Sequence, residues 1–457
     1  MQNKKTSTLF VEKILSDPMA RIHFIGIGGS SMSSLAELLA FRGVKVSGSD
    51  LEATRVTERL ASLGVSIVIV HDSNTVIGAS LVVYSHAISE RNPEMLTAKN
   101  LGIPRISRAT LLGALMLSYK RRIGISGTHG KSTTVAMLDS ISEKAGCDPT
   151  TASGAALSCG SNLRIGGDGL FIYEACEYKD SFLEFYPSIA VALNLEHDHP
   201  DYFEDVASLR ESFYGALSRA ELAIINSDDE GLSPLVPYLG NRAVTFGKDD
   251  ADFCYEINSF SQHGYDFTIK RQGFAPLSLS LGIIGTHNVT NAVAAAVAAL
   301  SLGIDDCSIR NALSEFRGIE RRLESVGFFR GREVFYDYAH HPTEIKASVD
   351  SVRMKCGGAV TVIFRPHTYS RTKALFDGFV KSLSLADHVI LTDIYAAREE
   401  PIKGISSSAL SDALSTDSVC LRGGDLIRHL ELKTEGAIII MGAGDLAEVK
   451  SAILSRG

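Results

Sequence analysis

The stretch RRIGISGTHGKSTTVAML, beginning at Arg121, restricts the fold more than any other part of the chain. Residues 123–126 read as a short buried strand, and residues 133–141 carry apolar side chains at helical spacing. The loop between them ends where a helix begins, so its backbone N–H groups have no intrahelical partner and suit an anion. Gly127 and Gly130 let the chain wrap closely, and Thr128, His129 and Thr133 complete the loop. Lys131 then reaches the outer phosphates of a nucleotide, and the Ser132 hydroxyl is placed to ligate Mg²⁺. Gly127 stands three positions before Gly130, a shorter spacing than G-x-x-x-x-G-K-S/T, so the loop reads as a relative of the common phosphate loop. A strand feeding a glycine loop and then a helix implies a parallel sheet with the loop at its carboxyl edge.

The same strand-then-helix order recurs along the chain. IHFIGIGG is a strand entering a glycine turn, SSMSSLAELLAFRG is a helix closed by Gly43, and VKVSGSD, SIVIV and LVVYS continue the pattern. After the phosphate loop come LFIYEA, IAVALNLE and LAIINSDD. A third unit, beginning near GIERRLESV, contains REVFYDYAHHPTEI, AVTVIFRPHT, HVILTD and GAIIIMGAGDL. A chain of 457 residues is long enough for about three domains, each with its own core. The expected units are 1–119, 120–322 and 323–457.

Charge and hydropathy narrow the partners. A net charge of −8 disfavours nonspecific nucleic-acid binding. No uncharged apolar span reaches roughly 18 residues, and the first residues lack the apolar core of an export signal, so a cytoplasmic chain with no membrane partner is expected. The seven cysteines form no C-x-x-C pair and read as small packed residues in a reducing compartment.

Polar clusters follow the apolar runs, where open parallel sheets bind ligands. Glu174 ends LFIYEA, and with Ser132 it offers the hard oxygen ligands that Mg²⁺ favours. NLEHDHPDYF gathers Glu196, His197, Asp198, His199 and Asp201, with His199 a candidate ligand for a second divalent ion. In GTHNVTNAVAA, Asn288 and Asn291 share a helix face beside His287 and can read an adenine edge through donor and acceptor groups. Arg321 and Arg322 read as a phosphate clamp or as surface charge. Asp337, Tyr338, His340, His341, His367, Tyr369 and Arg371 cluster in two segments where an amine-bearing substrate and its carboxylate would be held. In the first unit Gly26, Gly28, Gly29, Ser30 and Asp50 leave two readings open, a nicotinamide or flavin cofactor and a nucleotide sugar, because the turn itself says only that a diphosphate lies on a helix N-terminus.

Taken in order, GTHGKSTT, EACEYKDSFL, NLEHDHPDYF, GTHNVTNAVAA, ERRLE, DYAHHPTEIKA, FRPHTYSRT and IIMGAGD resemble the motifs of the Mur ligases, the amide-forming enzymes of peptidoglycan precursor synthesis. The resemblance runs over nearly the whole chain. It implies an α/β protein of three successive domains: a Rossmann-like N-terminal domain that binds a UDP-sugar, a central P-loop ATPase-like domain, and a Rossmann-like C-terminal domain that binds an amino acid. The opening segment resembles family members that use UDP-N-acetylmuramate and L-alanine, so the implied reaction makes an amide from these two with ATP and Mg²⁺, through an acyl phosphate. Attachment of a murein tripeptide to the same nucleotide sugar is the alternative within the family. A nicotinamide-dependent oxidoreductase would leave the phosphate loop unused, and a nucleotide switch would leave the third-unit clusters unexplained.

Residue roles carried over from the resemblance are these. Lys131 binds phosphate, Ser132 and Glu174 ligate one metal and His199 a second, Asn288 and Asn291 lie at adenine, and Arg322 contacts phosphate. Asp337 holds ribose, His340 is catalytic, and Tyr338, His367 and Arg371 lie near the amino acid. Gly26, Gly28, Gly29, Ser30, Asp50, Ser85 and His86 lie at the UDP-sugar. The chain departs from the family at Thr368, where several relatives carry Arg, at His86, where SHAI replaces SSAI, and in EACEYKD, which replaces the commoner EADESD and leaves the role of Glu177 open. It also has no lysine between His199 and Lys248 to match the carbamoylated lysine of several members, which leaves an acid such as Glu211 to substitute. A monomer or weak homodimer is expected.

Overall fold

A computed structural model describes residues 2–456 except His86, Pro200, Asp201, Arg398, Lys433, Thr434 and Asp445, with side chains described from Leu9 onward. His86 and Asp201, both singled out from the sequence, therefore lie outside the described residues.

Three sheets follow one another along the chain. The first has five parallel strands in the order Ser66–Val68, Lys45–Ser49, Arg21–Ile25, Leu81–Tyr84, Arg105–Ser107. This order reverses direction beside the first strand, which opens a crevice at the carboxyl ends next to the glycine turn. The second sheet has ten strands. Its parallel part places Arg121–Ser126 between Ile189–Ala192 and Leu170–Glu174. One end is extended by an antiparallel meander, Phe253–Ser261, Gly264–Arg271 and Leu277–Leu281. The third sheet has six strands in the order Glu324–Phe329, Arg332–Asp337, Ala437–Gly442, Val360–Arg365, His388–Leu391, Asp417–Cys420, parallel except for the first pair. The three-domain α/β architecture implied by the motifs is thus the architecture observed.

The parallel strands are apolar on both faces because helices cover both. Ile123 and Ile125 are fully buried under the helices Lys131–Lys144 and Thr286–Ser301, the second of which is alanine-rich and packs closely. The opposite face of the central sheet shares one core with the first domain. Gly113, in the helix Arg108–Met116 of the first domain, lies so close to the backbone carbonyl of Glu184 that a Cβ there would overlap it. A glycine at this position sets the distance between the two domains.

The first domain also buries a polar network. Glu94 is fully buried and accepts a hydrogen bond from the Ser49 hydroxyl at 2.7 Å, with His23 at 3.4 Å and His71 at 3.5 Å. Burial pushes its carboxyl up, but hydrogen bonds from His23 and Ser49 and the nearby imidazoles more than offset this, so its pKa lies below the ordinary value. Glu94→Ala would leave several buried donors unpaired and a cavity behind. It is expected to destabilise the first domain by about 3 kcal/mol, read from urea unfolding of the full chain. An unchanged midpoint would show that the network carries no stability.

Candidate functional site

Most of the polar clusters sit at carboxyl ends of strands, as the parallel sheet requires. The phosphate loop follows Arg121–Ser126, Glu174 is the last residue of its strand, residues 194–199 follow Ile189–Ala192, Asp337 ends Arg332–Asp337, and His367 lies just past Val360–Arg365. The helix Lys131–Lys144 starts immediately after Gly130, whose φ of 83° is left-handed. A Cβ at Gly130 would also overlap the Asn291 amide, so glycine is needed both for the turn and for close packing of the loop on the helix Thr286–Ser301.

Residues distant in sequence meet in a cavity of 250 Å³ between the second and third domains. Its lining includes His129, Gly130, Thr133, Asn291, Arg322 and Asp337, and His287 and Asn288 border it as well. Asn291 donates to the Asn288 carbonyl oxygen at 3.3 Å, while the Asn288 amide donates to the backbone of Ile284 at 2.7 Å. The two amides do share a face, but one donor of Asn288 is already engaged. Asp337 is buried and accepts from the Ser348 hydroxyl; burial raises its pKa above the usual carboxylate value, although Ser348 and Arg322 oppose the shift. The Arg322 guanidinium lies 3.7 Å from Glu344 and 5.4 Å from the Tyr338 ring.

A second cavity, of 180 Å³, joins the first domain to the second. It is lined by Ser31 and Ser34 beside the glycine turn and by Arg108, Lys131, Glu174 and Cys176. Arg108 was not singled out from the sequence, although a cation opening a helix at a strand's carboxyl end was a readable signal. Lys131 donates to the Gly127 and Thr128 carbonyls and to Glu177, 3.1 Å away and only 2% exposed. Burial alone would lower its pKa, but the Glu177 charge raises it above the ordinary value, so the ammonium is firmly charged. Glu177, whose role the altered EACEYKD segment left open, is thus the partner of the loop lysine. Glu174 accepts the Gly154 N–H and lies 3.3 Å from the Ser153 hydroxyl, which fixes its carboxylate at the cavity wall. Ser132 and Glu174 provide hard oxygen donors, a set that fits Mg²⁺.

His199 is left-handed at φ 55° and lies 3.7 Å from both Glu177 and Asp198. Asp198 pairs with Arg371 of the third domain at 2.9 Å. Burial would raise the Asp198 carboxyl, but the Arg371 and His199 charges hold it far below the usual range. Arg371 also approaches His367 at 3.4 Å, and the His367 ring lies 6.2 Å from that of His340. The His340 imidazole is fixed by a 2.9 Å contact with the Tyr338 carbonyl, and burial lowers its pKa. The third-domain histidines and Arg371 therefore do gather, with Arg371 engaged by a carboxylate of the chain itself.

In the first domain, Gly26, Gly28 and Gly29 form the turn before the helix Ser30–Phe41, and Ser85 follows the strand Leu81–Tyr84. Asp50 accepts the Gly28 N–H at 2.7 Å, so it braces the turn as well as standing where a ribose-binding acid would be. Ser30 is tied to the central domain through its carbonyl, which accepts from Asn162 at 2.7 Å. Glu211 is exposed on the helix Val206–Leu217.

One set of contacts is not marked by any motif. His129 lies 3.1 Å from Glu344, across the domain boundary, and 3.7 Å from Glu196. Burial would lower its pKa, but Glu344 and Glu196 more than offset this and raise it to about 9. Glu344 also caps the helix Pro342–Cys356 by accepting the His341 N–H. A loop histidine next to a third-domain acid carries no local sequence pattern, because the contact depends on how the domains dock.

Among the described residues no helix is long and apolar enough to cross a membrane. Residues 21–120 match the model "Mur ligase family, catalytic domain", residues 125–299 the "Mur ligase middle domain", and residues 321–447 the "Mur ligase, glutamate ligase domain". A UDP-N-acetylmuramate–L-alanine ligase of Caldicellulosiruptor saccharolyticus is 41% identical over 450 residues, covering 96% of this chain and 99% of its own. One from Clostridium acetobutylicum is 39% identical over 452 residues, with coverage of 96% and 99%. The crystal structure of the UDP-N-acetylmuramate–alanine ligase of Thermotoga maritima aligns with a TM-score of 0.80 at 28% identity, covering 95% of this chain and 98% of that one. A murein peptide ligase of Psychrobacter arcticus shares the fold with a TM-score of 0.71 at 24% identity over 96% and 98% of the two chains. With three consecutive domain matches and full-length relatives near 40% identity, the chain belongs to the Mur ligase family.

Proposed function

We propose that this chain is an ATP-dependent ligase that joins the lactyl carboxylate of UDP-N-acetylmuramate to the amine of L-alanine, releasing ADP and phosphate, in cytoplasmic peptidoglycan precursor synthesis. The observation that carries this reading is that two cavities border the phosphate loop from different sides, one through His129, Gly130 and Thr133 and the other through Lys131. One opens toward Asn291 and Asp337, and the other runs from the first-domain turn to Lys131 and Glu174. A sugar-borne acid bound on the first domain is thereby aimed at the terminal phosphate of a nucleotide held by the second. The acid attacks that phosphate to give an acyl phosphate, and the amine then displaces phosphate from the acyl carbon.

Each step brings anions together, so the chain must supply positive charge that is already in place. Lys131 and the loop N–H groups face the phosphates, and Arg108 lines the cavity beside them. Mg²⁺ held by Ser132 and Glu174 would neutralise charge on the phosphoryl oxygens, with His199 beside a second ion. Asn288, Asn291 and His287 border the adenine site, Arg322 a phosphate, and Asp337 the ribose. His340, Tyr338, His367 and Arg371 form the amino-acid side from the third domain, whose docking excludes water that would compete for the acyl phosphate.

The test is phosphate release with ATP, Mg²⁺ and UDP-N-acetylmuramate, comparing L-alanine, glycine, L-serine and murein tripeptide. Release that requires the sugar and is fastest with L-alanine is expected. Preference for the tripeptide would select the recycling reaction, and release indifferent to sugar and amine would remove the ligase assignment.

A further inference from the structure

Glu196 and His341 have no role in the proposed ligation, yet they stand together with the phosphate-loop His129 where three segments meet. His129 lies in the phosphate loop, Glu196 in the polar loop after Ile189–Ala192, and His341 caps the third-domain helix Pro342–Cys356. One potential ligand atom from each falls within 4.8 Å of the other two. His129 Nε2 is 3.7 Å and His341 Nδ1 3.6 Å from the same Glu196 oxygen. Adjacent ligands of a tetrahedral ion bound at about 2.0–2.1 Å lie about 3.3 Å apart, so the two imidazoles would have to draw in toward Glu196 to close the set.

Two further observations point to an ion. His129 Nε2 is buried without a hydrogen-bond partner, although buried polar atoms are nearly always satisfied. The outer contacts are also those that orient metal ligands: the other nitrogen of His129 faces the Glu344 carboxylate at 3.1 Å, and the Thr343 hydroxyl donates to Glu196 at 2.6 Å. A carboxylate behind a histidine fixes the ring and raises its basicity toward a metal. On His341, Nδ1 accepts a long 3.4 Å cap contact from the Thr343 N–H and lies 3.6 Å from Glu196, so a metal would take the place of the weak cap bond.

We propose that His129, Glu196 and His341 bind a divalent transition metal of the zinc class, bridging the phosphate loop to the third domain. Two imidazoles among three donors select such an ion over Mg²⁺, which prefers oxygen. The site is separate from the Ser132–Glu174 pair, and because its ligands come from two domains the metal would hold the third domain docked on the second. It goes beyond the ligase reading and does not depend on which amine is used.

The full chain, stripped with a chelator and exchanged into excess Mg²⁺, is titrated with Co²⁺ and read by the visible absorption of a low-coordinate nitrogen–oxygen cobalt site, with Zn²⁺ as competitor. One equivalent displaced by Zn²⁺ is expected. His341→Ala and Glu196→Gln should each weaken binding by at least about tenfold, and Glu344→Gln by about 10-fold to 100-fold through the outer contact. His199→Ala should leave cobalt affinity unchanged. Zn²⁺ should raise the melting temperature of the wild type and not of His341→Ala, with circular dichroism establishing that each variant is folded. Absence of cobalt binding above the Mg²⁺ background, or binding lost in His199→Ala and retained in folded His341→Ala, would overturn the site while leaving the ligase reading standing.

Discussion

Lys131→Ala is expected to lower kcat for ADP and phosphate formation by about 10²–10³-fold, the scale of removing one preorganised electrostatic group from a reacting centre. Calorimetry should show UDP-N-acetylmuramate affinity nearly unchanged, because the glycine turn proposed to receive the diphosphate lies in another domain. Lys131 has a second task in the resting structure, where it offsets Glu177, a carboxylate only 2% exposed. Removing the lysine alone strands that charge, at a cost of about 3 kcal/mol. The double variant Lys131→Ala/Glu177→Gln separates the two effects: stability should return toward wild type while kcat stays low. Recovery of kcat in the double variant would show that the lysine acts through folding rather than on phosphate, and loss of sugar binding in Lys131→Ala would break the division of labour between domains.

Arg371→Ala should produce the second large effect, because Arg371 and Asp198 are 11% and 8% exposed and pair at 2.9 Å across the boundary between the second and third domains. Breaking one side of such a pair costs about 3–5 kcal/mol, mostly as the penalty for the stranded charge. In thermal unfolding, Arg371→Ala and Asp198→Asn should therefore be strongly non-additive, the double variant being more stable than Arg371→Ala alone. In kinetics, Arg371→Ala should raise KM for the amino acid more than KM for ATP. Equal changes would place its effect on domain docking and not on the incoming carboxylate. The folded pKa of Asp198 is depressed, so the pair's contribution is fully present above the unfolded carboxylate value near 3.8 and is lost as pH falls below it.

Much of the fold was legible because its signals are local. A strand leading into GTHGKST and then a helix can be recognised from a dozen residues, since backbone N–H groups at a helix start and glycine's freedom of φ are properties of short segments. Glu174 and Asp337 were found the same way, as polar residues ending buried apolar runs. The meander from Phe253 to Leu281 is less legible: LSLSL alternates with the two-residue period of a half-buried strand, but so short an alternating run carries a weaker signal than the continuous apolar strands of the parallel part.

The amino-acid order by itself determined three strand-and-helix units, the phosphate loop and the residue types placed at their sheet edges, because hydrophobic period and turn chemistry act over a few neighbours. Tertiary structure alone decided that Glu177 neutralises Lys131, that Asp198 receives Arg371, that Arg108 lines the inner cavity, and that His129 faces Glu344, Glu196 and His341. Those contacts join segments up to 215 residues apart, as between His129 and Glu344. Their energies depend on how closely the domains approach and how much water is excluded between them, and neither quantity is written in any local stretch of the chain.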